Sequence, residues 1–206
     1  MAHTNISSLM TPDEALQKLL DGNKRFIKGF DAPDSFKYQD ASISKAQHPY
    51  ACILGCADSR VSPEHTFDES HGNLFVTRVA GNFVTPEIIA SLEYGTSVLG
   101  ASIILVLGHS GCGAVHATID AVSTNVKFDG HIGQLIQSIE PAVAASRHAH
   151  LDTWMENAVS ENVRLNVQHL RQSEPILGSL IRSGKLKVAG GIYNLETGVV
   201  DILTDR

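Results

Sequence analysis

Basic residues are few in this chain and form no run. Lysine and arginine together number 16, against 22 aspartate and glutamate residues, which leaves a net charge of −6 at pH 7. Nucleic acids and anionic membrane surfaces attract clusters of positive charge. We therefore expect the protein to bind neither.

Long apolar runs and cysteines are also scarce. No stretch reaches the ~18 apolar residues of a membrane span, and the start, Met1 to Ser7, lacks the charged-then-apolar layout of a secretory signal. The three cysteines cannot all pair, and a reducing compartment suits free thiols better than disulfides. We expect a cytoplasmic protein.

The remaining composition is ordinary for a soluble globular protein. The 206 residues are 43% hydrophobic and 18% charged, enough for one domain with a sizeable core. No repeat or linker divides the chain, so we expect a single domain over residues 1–206.

A helical arm is predicted over residues 1–35. Thr11-Pro12-Asp13-Glu14 has the chemistry of a helix start, and apolar residues continue at roughly helical spacing to Phe30. This amphipathic arm precedes the first predicted strand and has no obvious place in a sheet core. We expect it to pack on a partner subunit.

Strand and helix patterns alternate along the rest of the chain. Strands are predicted at 50–55, 74–77, 102–108, 187–193 and 198–203. Helices are predicted at 85–100, 112–122 and 131–183, the last with breaks near Pro141, His150 and Pro175. This alternation predicts an α/β fold with a mostly parallel central sheet flanked by helices.

Two predicted strands end in short glycine-containing loops that carry metal-binding side chains. Cys56 follows the first strand, and His109 and Cys112 follow the strand at 102–108. If the two strands are neighbours, these side chains converge at the carboxyl edge of the sheet. Two thiolates and one imidazole leave one zinc position open, which is typical of catalytic zinc. Asp58 and Arg60 add a carboxylate and a guanidinium beside Cys56.

Less specific interpretations apply to several of these residues. Cys52, inside a predicted strand, is expected to be a small buried apolar residue, and three residues separate it from Cys56, unlike the Cys-x-x-Cys motif of redox enzymes. A structural zinc site usually has four protein ligands, arranged in paired Cys-x-x-Cys motifs. This chain instead has one close pair, His109 and Cys112, and one distant cysteine, Cys56. His65 is a weak candidate for proton transfer.

The motifs CADSRV, RVAGN, SLEYG and GHSGCG stand in this order between residues 56 and 113, and GGIYNLETG lies near the end of the chain. With Cys56-x-Asp58-x-Arg60 joined to His109-x-x-Cys112, the chain resembles the β-class carbonic anhydrases. The family implies a zinc enzyme that interconverts carbon dioxide and bicarbonate, built as a homodimer or a higher assembly such as a homotetramer.

The resemblance also implies individual roles. The zinc ligands are matched by Cys56, His109 and Cys112, and the catalytic carboxylate–guanidinium pair by Asp58 and Arg60. Substrate contacts are matched by Gln47, typically supplied by the other subunit, by the apolar pocket residues Phe75, Ala80 and Tyr94, and by Gly113, which borders the metal.

Two departures from the family pattern stand out. Val79 occupies a position where many members have Asn. Ile53 replaces a Trp that, in one subtype, binds regulatory bicarbonate with an Arg and a Tyr. Arg78 and Tyr193 match those two partners, but the absent Trp argues against this regulatory site in its known form.

The resemblance implies a mechanism in which zinc-bound hydroxide attacks carbon dioxide. Asp58 would orient the hydroxide, and Arg60 would hold Asp58 in place by hydrogen bonds. Two thiolates already cancel the metal's charge, so the bound water should be a weak acid, and activity should rise above neutral pH. In a closed state, Asp58 could become the fourth zinc ligand.

A carbonyl sulfide or carbon disulfide hydrolase, and a non-catalytic zinc-stabilised interaction protein, remain open alternatives.

Overall fold

A five-stranded sheet forms the centre of the structure. The computed structural model describes residues 10–29, 45–147 and 151–204. The strands are β1 (Ala51–Gly55), β2 (Leu74–Arg78), β3 (Ile103–His109), β4 (Lys187–Tyr193) and β5 (Val200–Ile202). They are ordered β2-β1-β3-β4-β5, and only β5 is antiparallel to its neighbour. The predicted α/β fold with a mostly parallel sheet is confirmed.

Helices cover both faces of this sheet. The α-helices of the described residues are α1 (Pro12–Ile27), α2 (Pro63–Thr66), α3 (Pro86–Glu93), α4 (Gly113–Thr124), α5 (Ile132–Ser146), α6 (Trp154–Arg171) and α7 (Ile176–Arg182). Every residue of β1 and β3 is buried, as expected for central parallel strands. Among the described residues, no helix has the length and apolar character needed to cross a membrane.

The expectation that the N-terminal arm has no place in the core is wrong for α1. Ala15 and Leu19 are fully buried, in one apolar cluster with Ile53 of β1. A Cβ at Gly22 would lie 1.9 Å from the backbone oxygen of Phe67, so the helix packs very closely on its own chain. The sequence shows an apolar stripe but not the surface it covers. Arm residues 1–9 and 30–35 lie outside the described residues.

The break predicted near Pro141 is also wrong, because α5 continues through that residue. Proline in a helix interior costs about 3 kcal/mol. Here Pro141 is exposed, while the opposite face of α5 buries Ile139 and Val143 against its neighbours. That burial offsets the lost hydrogen bond. The break at Pro175 is confirmed, since Pro175 directly precedes α7, and the break near His150 falls outside the described residues.

Candidate metal centre

The two central strands deliver three metal-binding side chains to one edge of the sheet. β1 pairs in parallel with β3, Cys56 directly follows β1, and His109 is the last residue of β3. Cys112 is the N-cap of α4. All three side chains are buried, and their ligand atoms lie within 4.8 Å of one another.

The geometry of this cluster fits a tetrahedral metal ion. The sulfurs of Cys56 and Cys112 lie 3.9 Å apart, close to the ~3.8 Å expected for two thiolates with ~2.3 Å bonds to zinc. His109 Nδ1 lies 3.0 Å from the backbone oxygen of Ser110, and donating a proton there leaves the Nε2 lone pair free. Among the described residues, the buried Nε2 has no hydrogen-bond partner. Such an atom is rare unless an ion or water uses it.

Hydrogen bonds favour a thiolate at Cys56. The adjacent Cys112 thiol, the neighbouring His109 imidazole and the backbone N–H groups of Gly81 and Asp58 lower the pKa of Cys56 to about 4. Those two N–H groups lie 3.3 Å and 3.4 Å from its sulfur. The pKa of Cys112 is raised by its hydrogen bond with Cys56 and by burial. A divalent cation would stabilise both thiolates, because its charge favours deprotonation of each ligand.

Asp58 and Arg60 form a bidentate pair next to the cluster. Arg60 Nε donates to Oδ1 at 2.9 Å, and a terminal guanidinium nitrogen donates to Oδ2 at 2.7 Å. These bonds hold the pKa of Asp58 well below its usual range. Asp58 Oδ2 lies 3.9 Å from His109 Nε2. The carboxylate is therefore ionised, oriented and adjacent to the metal-binding atoms.

Arg78 braces the loop that carries this pair. Its Nε donates to the backbone oxygen of Cys56 at 2.9 Å, and a terminal nitrogen donates to those of Asp58 and Val61 at 2.7 and 2.8 Å. From the sequence, Arg78 was expected to begin a loop that could face the site and to match a regulatory position, but these hydrogen bonds to the loop after β1 were not predicted. The available signal in the sequence was that a basic residue, Arg78, stands at the end of the strand that neighbours β1.

The structure does not bring all predicted substrate contacts to the cluster of the same chain. Phe75 pairs with Cys52, four residues before Cys56 and so about 13 Å back along the strand. Tyr94 packs near Phe75, with ring centroids 6.1 Å apart. Gln47 is exposed and precedes β1. These three residues lie towards the amino end of β1, whereas the cluster lies beyond its carboxyl end.

Ala80 and Gly113, in contrast, lie beside the cluster. Ala80 precedes Gly81, whose N–H contacts the Cys56 sulfur. Gly113 follows Cys112 and begins α4. One chain therefore brings together the three candidate metal ligands, the charged pair, Ala80 and Gly113.

Fold and site together describe an α/β protein with a buried group of two cysteines and one histidine that could bind a metal ion. A family model described as carbonic anhydrase matches residues 51–200. The carbonic anhydrase of Mycolicibacterium smegmatis is 32% identical over 192 residues, which cover 93% of each chain. Carbonic anhydrase 2 of Mycobacterium tuberculosis is 32% identical over 191 residues, covering 91% of this chain and 90% of that one.

Solved structures agree with these relatives. The β-carbonic anhydrase of Coccomyxa, determined in complex with acetazolamide, is 30% identical with a TM-score of 0.71, covering 92% of this chain and 86% of that one. The chain belongs to the β-carbonic anhydrase family. The resemblance seen in the motifs is thereby confirmed.

Proposed function

We propose that this protein catalyses the reversible hydration of carbon dioxide to bicarbonate and a proton, with one zinc ion held by Cys56, His109 and Cys112. Carbon dioxide hydration is the general reaction of the family. The observation that supports zinc is the unpartnered Nε2 of His109, grouped with two sulfurs 3.9 Å apart. Three ligands of this type leave a fourth position for substrate chemistry.

Zinc at these ligands would supply a Lewis acid that makes water nucleophilic near neutral pH. The remaining work falls to the chain's own residues. Asp58, kept ionised by Arg60, accepts a hydrogen bond from the attacking water and so orients it towards carbon. Arg60 engages both carboxylate oxygens, which keeps Asp58 from becoming a ligand itself. Ser110 holds the imidazole of His109 through Nδ1.

The substrate pocket, in this proposal, is completed by a second copy of the chain in a homodimer or a higher assembly. Gln47, Phe75 and Tyr94 are too far along β1 to serve their own cluster. Phe75 belongs to the edge strand β2, whose residues are only partly covered, and Tyr94 packs against it. Tyr94 is 47% exposed and Val98 is 65% exposed. An apolar surface beside an open strand edge is typical of a protein interface.

We also place the enzyme in a reducing compartment, the cytoplasm. The three cysteines are free in the structure, and the proposed ligands require available thiols. Fractionation of cells that express the protein would test this location.

The decisive experiment is a stopped-flow assay of carbon dioxide hydration on the zinc-loaded protein, with metal content measured in parallel. We expect about one zinc per chain and a saturable rate, both largely lost in Cys112→Ser and kept in Cys52→Ser. Parallel measurement of sulfide released from carbonyl sulfide separates the hydrolase alternative. A zinc-loaded protein that accelerates neither reaction would be a non-catalytic interaction protein.

A further inference from the structure

We propose that Asn162, oriented by Asn166, is a positioning residue that aims the Gly81 N–H at the sulfur of Cys56. The inference rests on the proposed zinc site, because it concerns how one of its ligands is held. Both asparagines lie on α6, far along the chain from the cluster, and both are buried, at 2% and 8% exposure.

The contact with the sulfur depends on an unusual turn after β2. Gly81 and Asn82 both have positive φ angles, of 86° and 43°. In this conformation Gly81 donates its N–H to the Cys56 sulfur at 3.3 Å. A Cβ at residue 81 would lie 2.5 Å from Ile139 Cδ1. The position therefore requires glycine both for its backbone angle and for its packing.

Glycine alone leaves this turn conformationally permissive, and α6 supplies the constraint. Asn162 Nδ2 donates to the backbone oxygen of Gly81 at 2.8 Å. Gly81 is thus fixed by two hydrogen bonds: its N–H donates to the Cys56 sulfur, and its carbonyl accepts from the buried amide of Asn162. A shift of that carbonyl would rotate the Gly81 backbone and change the N–H···S contact.

The orientation of the two amides is determined by backbone groups at each end. The Val84 N–H can only donate, and it does so to Asn166 Oδ1 at 2.7 Å. Asn166 Nδ2 must then face acceptors, and it lies 2.7 Å from the Asn162 backbone oxygen and 3.2 Å from Asn162 Oδ1. Asn162 consequently presents Nδ2 to Gly81. A fully satisfied buried network of this kind specifies one arrangement.

Such a network matters to a metal ligand because N–H groups stabilise thiolate lone pairs. Residues that orient or hydrogen-bond a ligand typically change metal affinity or activity about 10–100-fold when they are replaced. Asn162 thereby links α6 to the metal centre without contacting substrate.

The test uses cobalt-substituted protein, whose sulfur-to-cobalt charge-transfer band reports the electron density on the thiolates. In Asn162→Ala, loss of the Gly81 constraint should weaken the N–H···S contact and shift this band to lower energy. Metal affinity, measured by competition with a chelator, should fall about 10–100-fold. The control is Asn157→Ala on the same helix, where the amide donates to Thr153 instead of the loop. Its band and affinity should match wild type.

Three further outcomes separate the possibilities. A lower unfolding temperature in Asn162→Ala with an unchanged band and affinity would overturn the inference, since Asn162 would then support only the fold. If that variant does not fold, Asn166→Ala removes the orienting partner and should give a smaller shift in the same direction, and no shift there would equally overturn it. A wild-type protein without a thiolate charge-transfer band would refute the zinc site itself, and this inference with it.

Discussion

Cys52 and Cys56 lie four residues apart, yet their surroundings give their thiols opposite acidity. Burial in an apolar cluster raises the pKa of Cys52 to about 12. Hydrogen-bond donors around Cys56 lower its pKa to about 4. Cys52 therefore has the inert, core-filling character that its place inside a strand predicts, whereas Cys56 is suited to bind a cation.

This difference predicts that Cys52 resists alkylation in the folded protein. At pH 8 its thiol should stay protonated and buried, because that pH lies well below its pKa of about 12, and only the thiolate reacts quickly. Iodoacetamide labelling followed by peptide mass spectrometry should find Cys52 unmodified until urea unfolds the chain. Rapid labelling of Cys52 under native conditions would contradict its burial in a stable core.

The Asp58–Arg60 pair is predicted to control rate rather than metal content. In Arg60→Ala the pKa of Asp58 should move up towards its ordinary value, but the carboxylate would still be ionised at neutral pH. The freed carboxylate should take the fourth metal position and no longer orient the water, so we expect the hydration rate to fall about 10–100-fold with zinc retained. Arg182→Ala, which breaks an exposed bidentate pair with Glu174, is the matched control and should leave the rate unchanged.

The pH dependence of the wild-type rate tests whether Asp58 can leave Arg60 and bind the metal. If hydroxide and Asp58 compete for the fourth metal position, activity should be low near neutral pH and increase above it. Both Asp58 oxygens accept hydrogen bonds from Arg60 in the structure. This is the arrangement expected when Asp58 is not a metal ligand. A rate that is flat from about pH 6 to about 9 would rule out this competition, given a bound-water pKa near or above ~7.

At the scale of helices and strands, the predictable features were those with local causes. The apolar runs of β1 and β3 identify strands because a parallel sheet buries both faces. The start of α1 is equally local, since Thr11 and Glu14 exchange both capping-box hydrogen bonds. The convergence of Cys56 with His109 was also predictable, because neighbouring parallel strands end at the same edge of a sheet.

Features that depend on tertiary packing were not predictable in this way. The position of α1 on its own sheet and the continuity of α5 through Pro141 both depend on partners distant in sequence. Asn162 shows the same limit at the site, because it acts on a loop 81 residues earlier in the chain. Two asparagines one helical turn apart on a buried face were the only local signal.

Asn23 is a second buried amide of this kind, and it ties α1 to the body of the fold. Its Nδ2 donates to the backbone oxygens of Thr66 and Gly198 at 3.0 and 2.8 Å, and its Oδ1 accepts from the Val200 N–H at 2.9 Å. The side chain is 3% exposed. One residue thus satisfies three backbone groups from two other segments.

Asn23→Ala should lower the free energy of unfolding by about 2–4 kcal/mol, because buried backbone groups would lose their partners. Urea unfolding at a fixed protein concentration measures the effect, since association would otherwise shift the midpoint. Gln17→Ala on the exposed face of α1 is the control and should change stability little. A loss below about 0.5 kcal/mol for Asn23→Ala would show that water or other groups replace its bonds.

For the whole molecule, the central question is whether one active site requires two chains. The cluster and the charged pair lie beyond the carboxyl end of β1, while Phe75 pairs with Cys52 further back along it. Deleting the N-terminal arm cannot answer this, because Ala15 and Leu19 of α1 belong to the core of their own chain. Complementation between two defective chains avoids that problem.

We expect Gln47→Ala and Cys112→Ser to be poorly active alone and to restore activity when combined in one dimer. In the mixed dimer, one site has the intact cluster of the first chain and the intact Gln47 of the second, while the other site carries both defects. Heterodimers isolated through two different affinity tags should therefore recover roughly half of the wild-type activity. If Gln47 served its own chain, neither site would be intact.

The control for this experiment combines Arg60→Ala with Cys112→Ser. Arg60 binds Asp58 beside the cluster of its own chain, so each site of that heterodimer keeps one defect and no activity should return. Recovery in the Gln47 pair but not in the Arg60 pair would place the substrate glutamine across the interface. Equal behaviour of the two pairs would contradict the shared site, and the pocket would then have to form within one chain.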